Sequence, residues 1–299
     1  MTNLPKPVDQ VRFDNIRLKL DKEAGLLWLY MNPEGRPCFS TDLITDIRNS
    51  HRILLKNRGH YPVDGEFHRI FYHVMTSEKD RPYNLGGDLQ LFLNCMENND
   101  REKLLDYARL CIEGLYPTVN DFNFNVTTIA LVRGQALGGG FESVLSNSII
   151  IAERSAKMGL PEVLFNLFPG MGAYHLLARR LPIAQVEKMI LSGKLYEAEE
   201  LYQMGIVDVI AEDGFGEISV IEFIKKHKRK WNTHIAIQKV RQHFKPVNYR
   251  DLMDVCEIWV DAIFNLSEKD IKTMRRLVRS QIRLIDNENG AEIISLEAS

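Results

Sequence analysis

The chain has 299 residues, of which 45% are hydrophobic and 26% charged, and its formal net charge is −2 at pH 7. These values are ordinary for a globular protein with a sizeable core, and they exclude the strong positive charge of a general nucleic-acid binder. No run reaches the ~18 consecutive apolar residues of a membrane span, and the first ten residues hold no apolar stretch. We therefore expect a protein that is neither secreted nor inserted in a membrane, and that binds no nucleic acid.

From the N-terminus, alternating apolar and polar residues predict two neighbouring strands, and helical spacing follows them. The first elements are strands at 11–20 and 25–31, a loop at 32–37, a helix at 41–56 capped by Thr41-Asp42, and a strand at 66–76. Next come a loop at 80–88, a helix from residue 89 capped by Asp88, a helix at 100–116, and an apolar strand at 126–132 that leads straight into three glycines. This order already points to strands alternating with helices.

The later elements are strands at 148–152 and 206–210, with helices at 174–180, 184–191 and 198–204 between them. Because strands alternate with helices up to residue 214, we predict an α/β architecture for residues 1–214. From residue 215 onward the periodicity is helical, with turn signals near Trp231, Pro246 and Leu266-Ser267. Residues 215–299 are therefore predicted to form a C-terminal helical region that acts as a lid or in oligomerisation.

The four cysteines are Cys38, Cys95, Cys111 and Cys256, and they form no C-x-x-C pair. No histidine stands near them at the spacing of metal ligands, so the sequence indicates neither a zinc site nor a disulfide framework. We expect reduced thiols in a cytoplasmic protein that binds no metal.

Two glycine loops and two glutamates are the sequence features that indicate a catalytic site. Gly86-Gly87 and Gly138-Gly139-Gly140 each precede a predicted helix, where free N–H groups favour developing negative charge. Glu142 and Glu162 follow close behind the second loop. Each glycine loop alone is more often a tight turn, and each glutamate alone is more often a surface carboxylate. Their combination indicates an acid/base pair beside an oxyanion-binding loop.

Three segments carry a resemblance to a known family: GQALGGGFE at 134–142, GLPE at 159–162 and FPGMG at 168–172. Their order resembles the signature of the crotonase family, which includes enoyl-CoA hydratases and isomerases, over about residues 83–211. The resemblance implies a ββα-spiral core, trimers or pairs of trimers, and an oxyanion hole made by the backbone N–H groups of Gly87 and Gly139. It also implies that Glu142 and Glu162 are the catalytic acids, as in the hydratases.

Some segments depart from the usual hydratase pattern, namely YHVMTS at 72–77, NLGGDL at 84–89 and AYH at 173–175. In these the chain is similar to the diffusible-signal-factor synthases of bacteria, a crotonase branch that makes cis-2-unsaturated fatty acids for quorum sensing. This likeness implies dehydration of a 3-hydroxyacyl group carried by acyl carrier protein or coenzyme A, then hydrolysis of the thioester to the free acid, without a cofactor. By the same likeness, Glu162 removes the C2 proton, Glu142 protonates the leaving hydroxyl, and either activates the hydrolytic water.

Two other functions stay open at this point. The first is an enoyl-CoA hydratase or isomerase of fatty-acid metabolism, which would release an acyl-thioester and no free acid. The second is a non-enzymatic role as the regulatory partner of a membrane sensor histidine kinase, in which both acids would be dispensable.

A long acyl chain needs apolar walls, because each buried methylene contributes about 0.8 kcal/mol. The candidates are Leu85, Leu137, Leu164, Phe168, Met171, Val255 and Trp259. Such residues are individually more often plain core, and only Leu85 and Met171 adjoin matched loops. Leu85, Gly86, Gly138 and Met171 are therefore the predicted substrate-binding residues.

The basic run KKHKRK at 225–230 is most simply a solvated helix end, since cations are favoured there. The alternative is a docking site for an acidic carrier protein.

Overall fold

The computed structural model describes residues 12–33, 35–78 and 82–286. Predictions for the first ten residues, for the strand start at residue 11, for residues 34, 80 and 81 in two loops, and for the tail beyond residue 286 lie outside these ranges. Among the described residues, no helix combines the length and apolarity that crossing a lipid bilayer requires.

The elements alternate between strand and helix before a helical C-terminal region. The strands are β1 (Ile16–Asp21), β2 (Leu26–Met31), β3 (His60–Val63), β4 (Glu66–Arg69), β5 (Tyr72–Ser77), β6 (Thr127–Val132), β7 (Gln135–Leu137), β8 (Ile149–Glu153), β9 (Lys157–Gly159), β10 (Leu195–Glu197) and β11 (Val209–Ala211). The helices are α1 (Thr41–Lys56), α2 (Leu89–Glu97), α3 (Arg101–Val119), α4 (Gly139–Leu145), α5 (Ala173–Ala178), α6 (Ile183–Ser192), α7 (Ala198–Gln203), α8 (Gly216–Lys228), α9 (Trp231–Phe244), α10 (Tyr249–Phe264) and α11 (Glu268–Asp286). Short 3₁₀ helices lie at Asp121–Asn123 and Pro161–Phe165.

The main sheet has the strand order β1-β2-β5-β6-β8-β11. β1 pairs antiparallel with β2, and the other neighbours pair in parallel. Every residue of β2, β5 and β6 is buried, as expected for central strands of a parallel sheet that is covered on both faces. The predicted α/β class is confirmed.

A second, three-stranded sheet has the order β10-β9-β7. β7 corrects one prediction, because the apolar strand β6 does not lead straight into the glycines. The chain first turns at Gly134, with φ of 74°, and then forms β7. A strand of three residues beside glycines is too short to show a periodicity of its own.

Two further predictions need correction. The single strand expected at 66–76 is two strands, since β4 forms a hairpin with β3 whereas β5 joins β2 and β6. The change of partner occurs at Ile70 and Phe71, whose amides donate to Gly59 O and Gly25 O. Helix α1 is capped by Ser40, whose Oγ accepts from Leu43 N, so the predicted cap was one residue late.

Beyond residue 214 the described chain is helical, as predicted, and the breaks between α8, α9, α10 and α11 fall at the expected turn signals. These helices share the main hydrophobic core with the first part of the chain. For example, the Trp259 ring of α10 packs edge-on against Phe92 of α2, with centroids 5.0 Å apart. Arg275 of α11 pairs with Glu97 of α2. The division of the chain into two units at residue 214 stays a prediction.

Candidate active site

Glu142 lies on α4, directly after the triple-glycine loop, and is only 1% exposed. Its Oε1 accepts hydrogen bonds from the backbone N–H groups of Met171 and Ala173, each at 2.8 Å. Met171 lies within the FPGMG segment and Ala173 directly follows it, and Gly172 between them has φ of 99°. The segment singled out in the sequence therefore fixes the orientation of the Glu142 carboxylate.

Glu162 lies in the 3₁₀ helix Pro161–Phe165, one residue after a proline that begins this helix. The residue as a whole is half-buried, but its Oε2 is fully buried and has no hydrogen-bond partner among the described residues. Its Oε1 lies over the glycine loop, since a Cβ atom on Gly138 would be 2.5 Å from it. An unpartnered buried carboxylate oxygen is costly unless a ligand uses it.

The two carboxyl groups have unusual acidities. Burial raises the pKa of Glu142 from 4.5 to about 7, and its two backbone donors oppose that rise. Burial also raises the pKa of Glu162 to about 8, and the negative charge of Glu142 adds to the effect. Near neutral pH the pair therefore holds about one proton, and one group can act as an acid while the other acts as a base.

The two glycine loops are joined by main-chain hydrogen bonds. Asn84 N donates to Gln135 O at 3.1 Å, and Leu137 N donates to Asn84 O at 2.9 Å. The Asn84 side chain accepts from Gly86 N at 2.8 Å and so closes the first loop on itself. A Cβ atom on Gly140 would lie 2.1 Å from Asn84 O, which explains why the loops need glycine where they touch.

The backbone amides of Gly87 and Gly139 lie close together in this junction. A Cβ atom on Gly139 would be 3.6 Å from Gly87 N, and one on Gly86 would be 3.4 Å from Gly139 N. Within residues 12–33, 35–78 and 82–286, neither amide donates a hydrogen bond. Two free donors at one point, one of them in the first turn of α4, form a site suited to an oxyanion.

All predicted site residues line one cavity of about 90 Å³. These are Leu85, Gly86, Gly87, Gly138, Gly139, Glu142, Glu162 and Met171. Of the other apolar candidates, Leu137 and Trp259 line the cavity, whereas Leu164, Phe168 and Val255 do not. Leu164 is 36% exposed, and Phe168 packs as a partly buried residue on the core. The remaining walls are also largely apolar, so the cavity suits a hydrocarbon chain.

Several walls of the cavity were not among the predicted residues, including Phe92, Tyr107, Cys111 and Leu277. Tyr107 also supports the first glycine loop, because its Oη accepts from Asp88 N at 3.1 Å and donates to Phe39 O at 2.7 Å. The spacing of Tyr107 and Cys111 on one face of α3 was visible in the sequence. It does not distinguish a face that packs on the core from a face that lines a cavity.

Chemically, the arrangement can hold a carbonyl oxygen on two amides while one carboxyl takes a proton and the other gives one. Such a set stabilises an enolate or a tetrahedral oxyanion and moves protons on the neighbouring carbons. Among the described residues, no group of three or more histidine, cysteine or acidic side chains could hold a metal ion.

Comparison with known proteins identifies a family and a shared fold. The family model described as enoyl-CoA hydratase/isomerase matches residues 72–263. Solved structures with a similar fold include DspI of Pseudomonas aeruginosa, with a TM-score of 0.66 and 20% identity over 95% of this chain and 92% of that one. An enoyl-CoA hydratase from Bacillus halodurans has a TM-score of 0.70 and 20% identity over 88% and 100% of the two chains. The human mitochondrial delta3-delta2-enoyl-CoA isomerase has a TM-score of 0.71 and 15% identity over 92% and 100%.

The family match covers well over half of the chain, and it includes both glutamates and both glycine loops. The chain belongs to the enoyl-CoA hydratase/isomerase family.

Proposed function

We propose that the protein dehydrates a 3-hydroxyacyl thioester and then hydrolyses the thioester, releasing a cis-2-unsaturated fatty acid that serves as a diffusible signal. The observation that carries this proposal is that two carboxyl groups, Glu142 and Glu162, line one apolar cavity beside two free amides. The resemblance of the sequence to the signal-factor synthases supports the product. The fold neighbours support the hydratase-type chemistry.

In the dehydration step, the thioester oxygen accepts hydrogen bonds from Gly87 N and Gly139 N. Glu162 takes the C2 proton, the C3–O bond breaks, and Glu142 protonates the departing hydroxyl, so that water and a 2-enoyl thioester form. The unpartnered Oε2 of Glu162 is free to receive the proton. Glu142 is held in place by Met171 and Ala173.

The protonation states allow this division of roles. The hydrogen bonds on Glu142 favour its charged form, and the higher pKa of Glu162 favours a proton there. Burial brings the pKa values of both carboxyl groups near neutral pH, so the proton that they share can reside on either group. The state with the charge on Glu162, which the dehydration requires, is therefore accessible.

In the hydrolytic step, one of the carboxylates removes a proton from water as the water oxygen attacks the thioester carbon. The same two amides stabilise the tetrahedral oxyanion. As the C–S bond breaks, the carboxyl group returns the water proton to the departing sulfur, so that the free acid and the carrier thiol are released. We assign acyl carrier protein or coenzyme A as the carrier. The exposed cationic side chains at the end of α8, among them Lys225, Lys226 and Lys228, give an acidic carrier protein a surface of opposite charge.

The decisive experiment is mass spectrometry of the products formed from 3-hydroxydodecanoyl acyl carrier protein and from its coenzyme A analogue. We expect free 2-dodecenoic acid from the wild type and a loss of about 10²-fold or more in Glu142→Gln and Glu162→Gln. Glu222→Gln, an exposed site on α8, is the matched control and should keep full activity.

Three other results would contradict the proposal. Formation of the enoyl-thioester without free acid would indicate an enoyl-CoA hydratase without thioesterase activity. Full turnover in both active-site variants would refute the roles of the two glutamates. No turnover of either substrate by the wild type would favour the regulatory role with a sensor kinase.

The same family likeness leads us to assign a homotrimer or a dimer of trimers. Three large apolar side chains, Ile237, Val240 and Phe244, are exposed on α9, and such a row is unusual on a free surface. Size-exclusion chromatography with light scattering tests the assembly, and a clean monomer would refute it.

A further inference from the structure

A second, smaller cavity of about 20 Å³ lies beyond the candidate active site, between α1, α3 and α4. Its walls include Phe39, Ile44, Ile47, Gly114 and Leu115, all of them buried. This cavity takes no part in the chemistry proposed above, because neither glutamate lines it.

The second cavity has no polar wall group that needs a water molecule as its hydrogen-bond partner. Its polar wall residues already have partners, since Thr118 Oγ1 donates to Leu115 O at 2.7 Å and Ser143 Oγ lies 3.5 Å from Tyr83 Oη. The other walls are hydrocarbon or sulfur. Apolar cavities of this kind stay dry and bind apolar groups.

The two cavities follow one another along a single face of α3. Tyr107, Ala108 and Cys111 line the first cavity. Cys111, Gly114, Leu115 and Thr118 line the second. From residue 107 to residue 118 an α-helix rises about 16 Å, so the two spaces form one row along the helix.

Only a thin partition separates the two spaces, because Cys111 and Met171 line both of them. The Met171 side chain reaches the oxyanion loop, as its Sδ lies 3.0 Å from the position of a Cβ atom on Gly139. Methionine has three rotatable side-chain bonds and adapts readily to its surroundings. A rotation of Met171 would join the second cavity to the first.

We infer that the second cavity is a subsite for the hydrocarbon end of the acyl chain, and that its volume limits the chain length that the protein accepts. The inference rests on the proposed acyl substrate. Gly114 and Ile44 then determine specificity without touching the reacting atoms. A larger side chain at Gly114 shortens the preferred chain, and a smaller one at Ile44 lengthens it.

The structure offers two opposite variants. A Cβ atom on Gly114 would lie 3.4 Å from Ile44 Cγ2 and 4.0 Å from Ile47 Cγ2, so Gly114→Ala adds a methyl group to the wall of the cavity without a severe clash. Ile44→Val removes one methylene from the same wall. Ile112→Val is the matched control, since Ile112 is fully buried on α3 but lines neither cavity.

The test is calorimetric binding of unbranched saturated fatty acids that differ by single methylenes, which needs no turnover. In the wild type the affinity should rise about fourfold per methylene, corresponding to ~0.8 kcal/mol, up to a limiting length and then stop rising. Gly114→Ala should lower the limiting length by about one carbon, Ile44→Val should raise it by about one, and Ile112→Val should leave it unchanged.

Unchanged limits in both Gly114→Ala and Ile44→Val would overturn the inference, as would an Ile112→Val protein whose limit shifts like that of Ile44→Val. Failure of the proposed function looks different. In that case the binding series keeps the expected pattern, while the wild type converts no 3-hydroxyacyl thioester.

Discussion

Gly138 offers a strong test of the position assigned to Glu162. Its φ of 53° and ψ of −125° belong to a region that side chains rarely adopt, and a Cβ atom there would lie 2.5 Å from Glu162 Oε1. Ordinary contact begins at 3.4 Å, so the carboxylate must retreat by about 0.9 Å (3.4 − 2.5) in Gly138→Ala. A misplacement of about 1 Å in a reacting group lowers the rate by roughly 10²-fold.

The backbone strain in this variant has a matched control. Gly205 also has a positive φ, of 76°, but a Cβ atom there would meet nothing within 4 Å. Each substitution should lower the free energy of unfolding by about 1–3 kcal/mol through strain. Only Gly138→Ala should lose activity.

The assay is kcat/KM for the dehydration of a 3-hydroxyacyl thioester, measured below the thermal transition of all three proteins, together with urea unfolding. We expect Gly205→Ala to keep the wild-type kcat/KM and Gly138→Ala to lose about 10²-fold. If both variants lose similar stability and both keep the wild-type kcat/KM, then Glu162 does not act from the position seen here.

Three further predictions concern stability. Tyr107→Phe leaves Asp88 N without its acceptor. We expect the free energy of unfolding in urea to fall by about 1–3 kcal/mol and kcat/KM to fall as well. An unchanged kcat/KM would show that the first glycine loop does not need this support. Burial raises the pKa of Glu162 from 4.5 to about 8, so between these pH values the folded state keeps a proton that the unfolded chain has lost, and stability falls as pH rises from about 4.5 to about 8. At pH 9 Glu162→Gln removes the cost of the buried charge, and it should gain up to about 5 kcal/mol in urea unfolding. A loss of stability there would contradict this. Burial lowers the pKa of His51 to about 4 and that of His73 well below 6.5, so the unfolded chain takes up protons before the folded state does. Acidification from pH 6.5 to pH 4 should therefore lower the free energy of unfolding by about 3 kcal/mol or more. Neither ring nitrogen of His73 has a partner among the described residues, and His73→Phe should lessen this loss when the free energy of unfolding is measured against pH.

The sequence predicted the residues of the candidate site more completely than it predicted the strands of the sheets. The motifs that contain Glu142, Glu162 and the glycines are local in sequence, and the structure brings these residues to one cavity, while their catalytic roles stay a prediction. The break between β4 and β5 could not be identified, because the alternation of residues continues across it and only the pairing partners change. The same holds for β7 and β9, which are too short for a period.

The walls of the cavity were the least predictable part. Leu277 comes from α11, more than a hundred residues after the glutamates, and nothing local marks it as a wall. Leu164, two residues from Glu162, was expected in the tunnel but is exposed. Nearness in sequence to a reacting group does not give the direction of a side chain.

The junction of the two glycine loops bears on which substitutions the protein can tolerate during evolution. Main-chain atoms of Asn84, Gln135 and Leu137 make the bonds that hold the junction, so the exchange of a side chain at 135 or 137 leaves these bonds possible. Many of the apolar cavity walls, by contrast, are side chains from α2, α3, α10 and α11, whereas Leu85 and Met171 belong to the loops and Leu137 to β7. If the proposed function holds, the reaction chemistry depends mainly on the loops, and the substrate range depends mainly on the helices. Drift in the second can yield new substrates while the first stays intact.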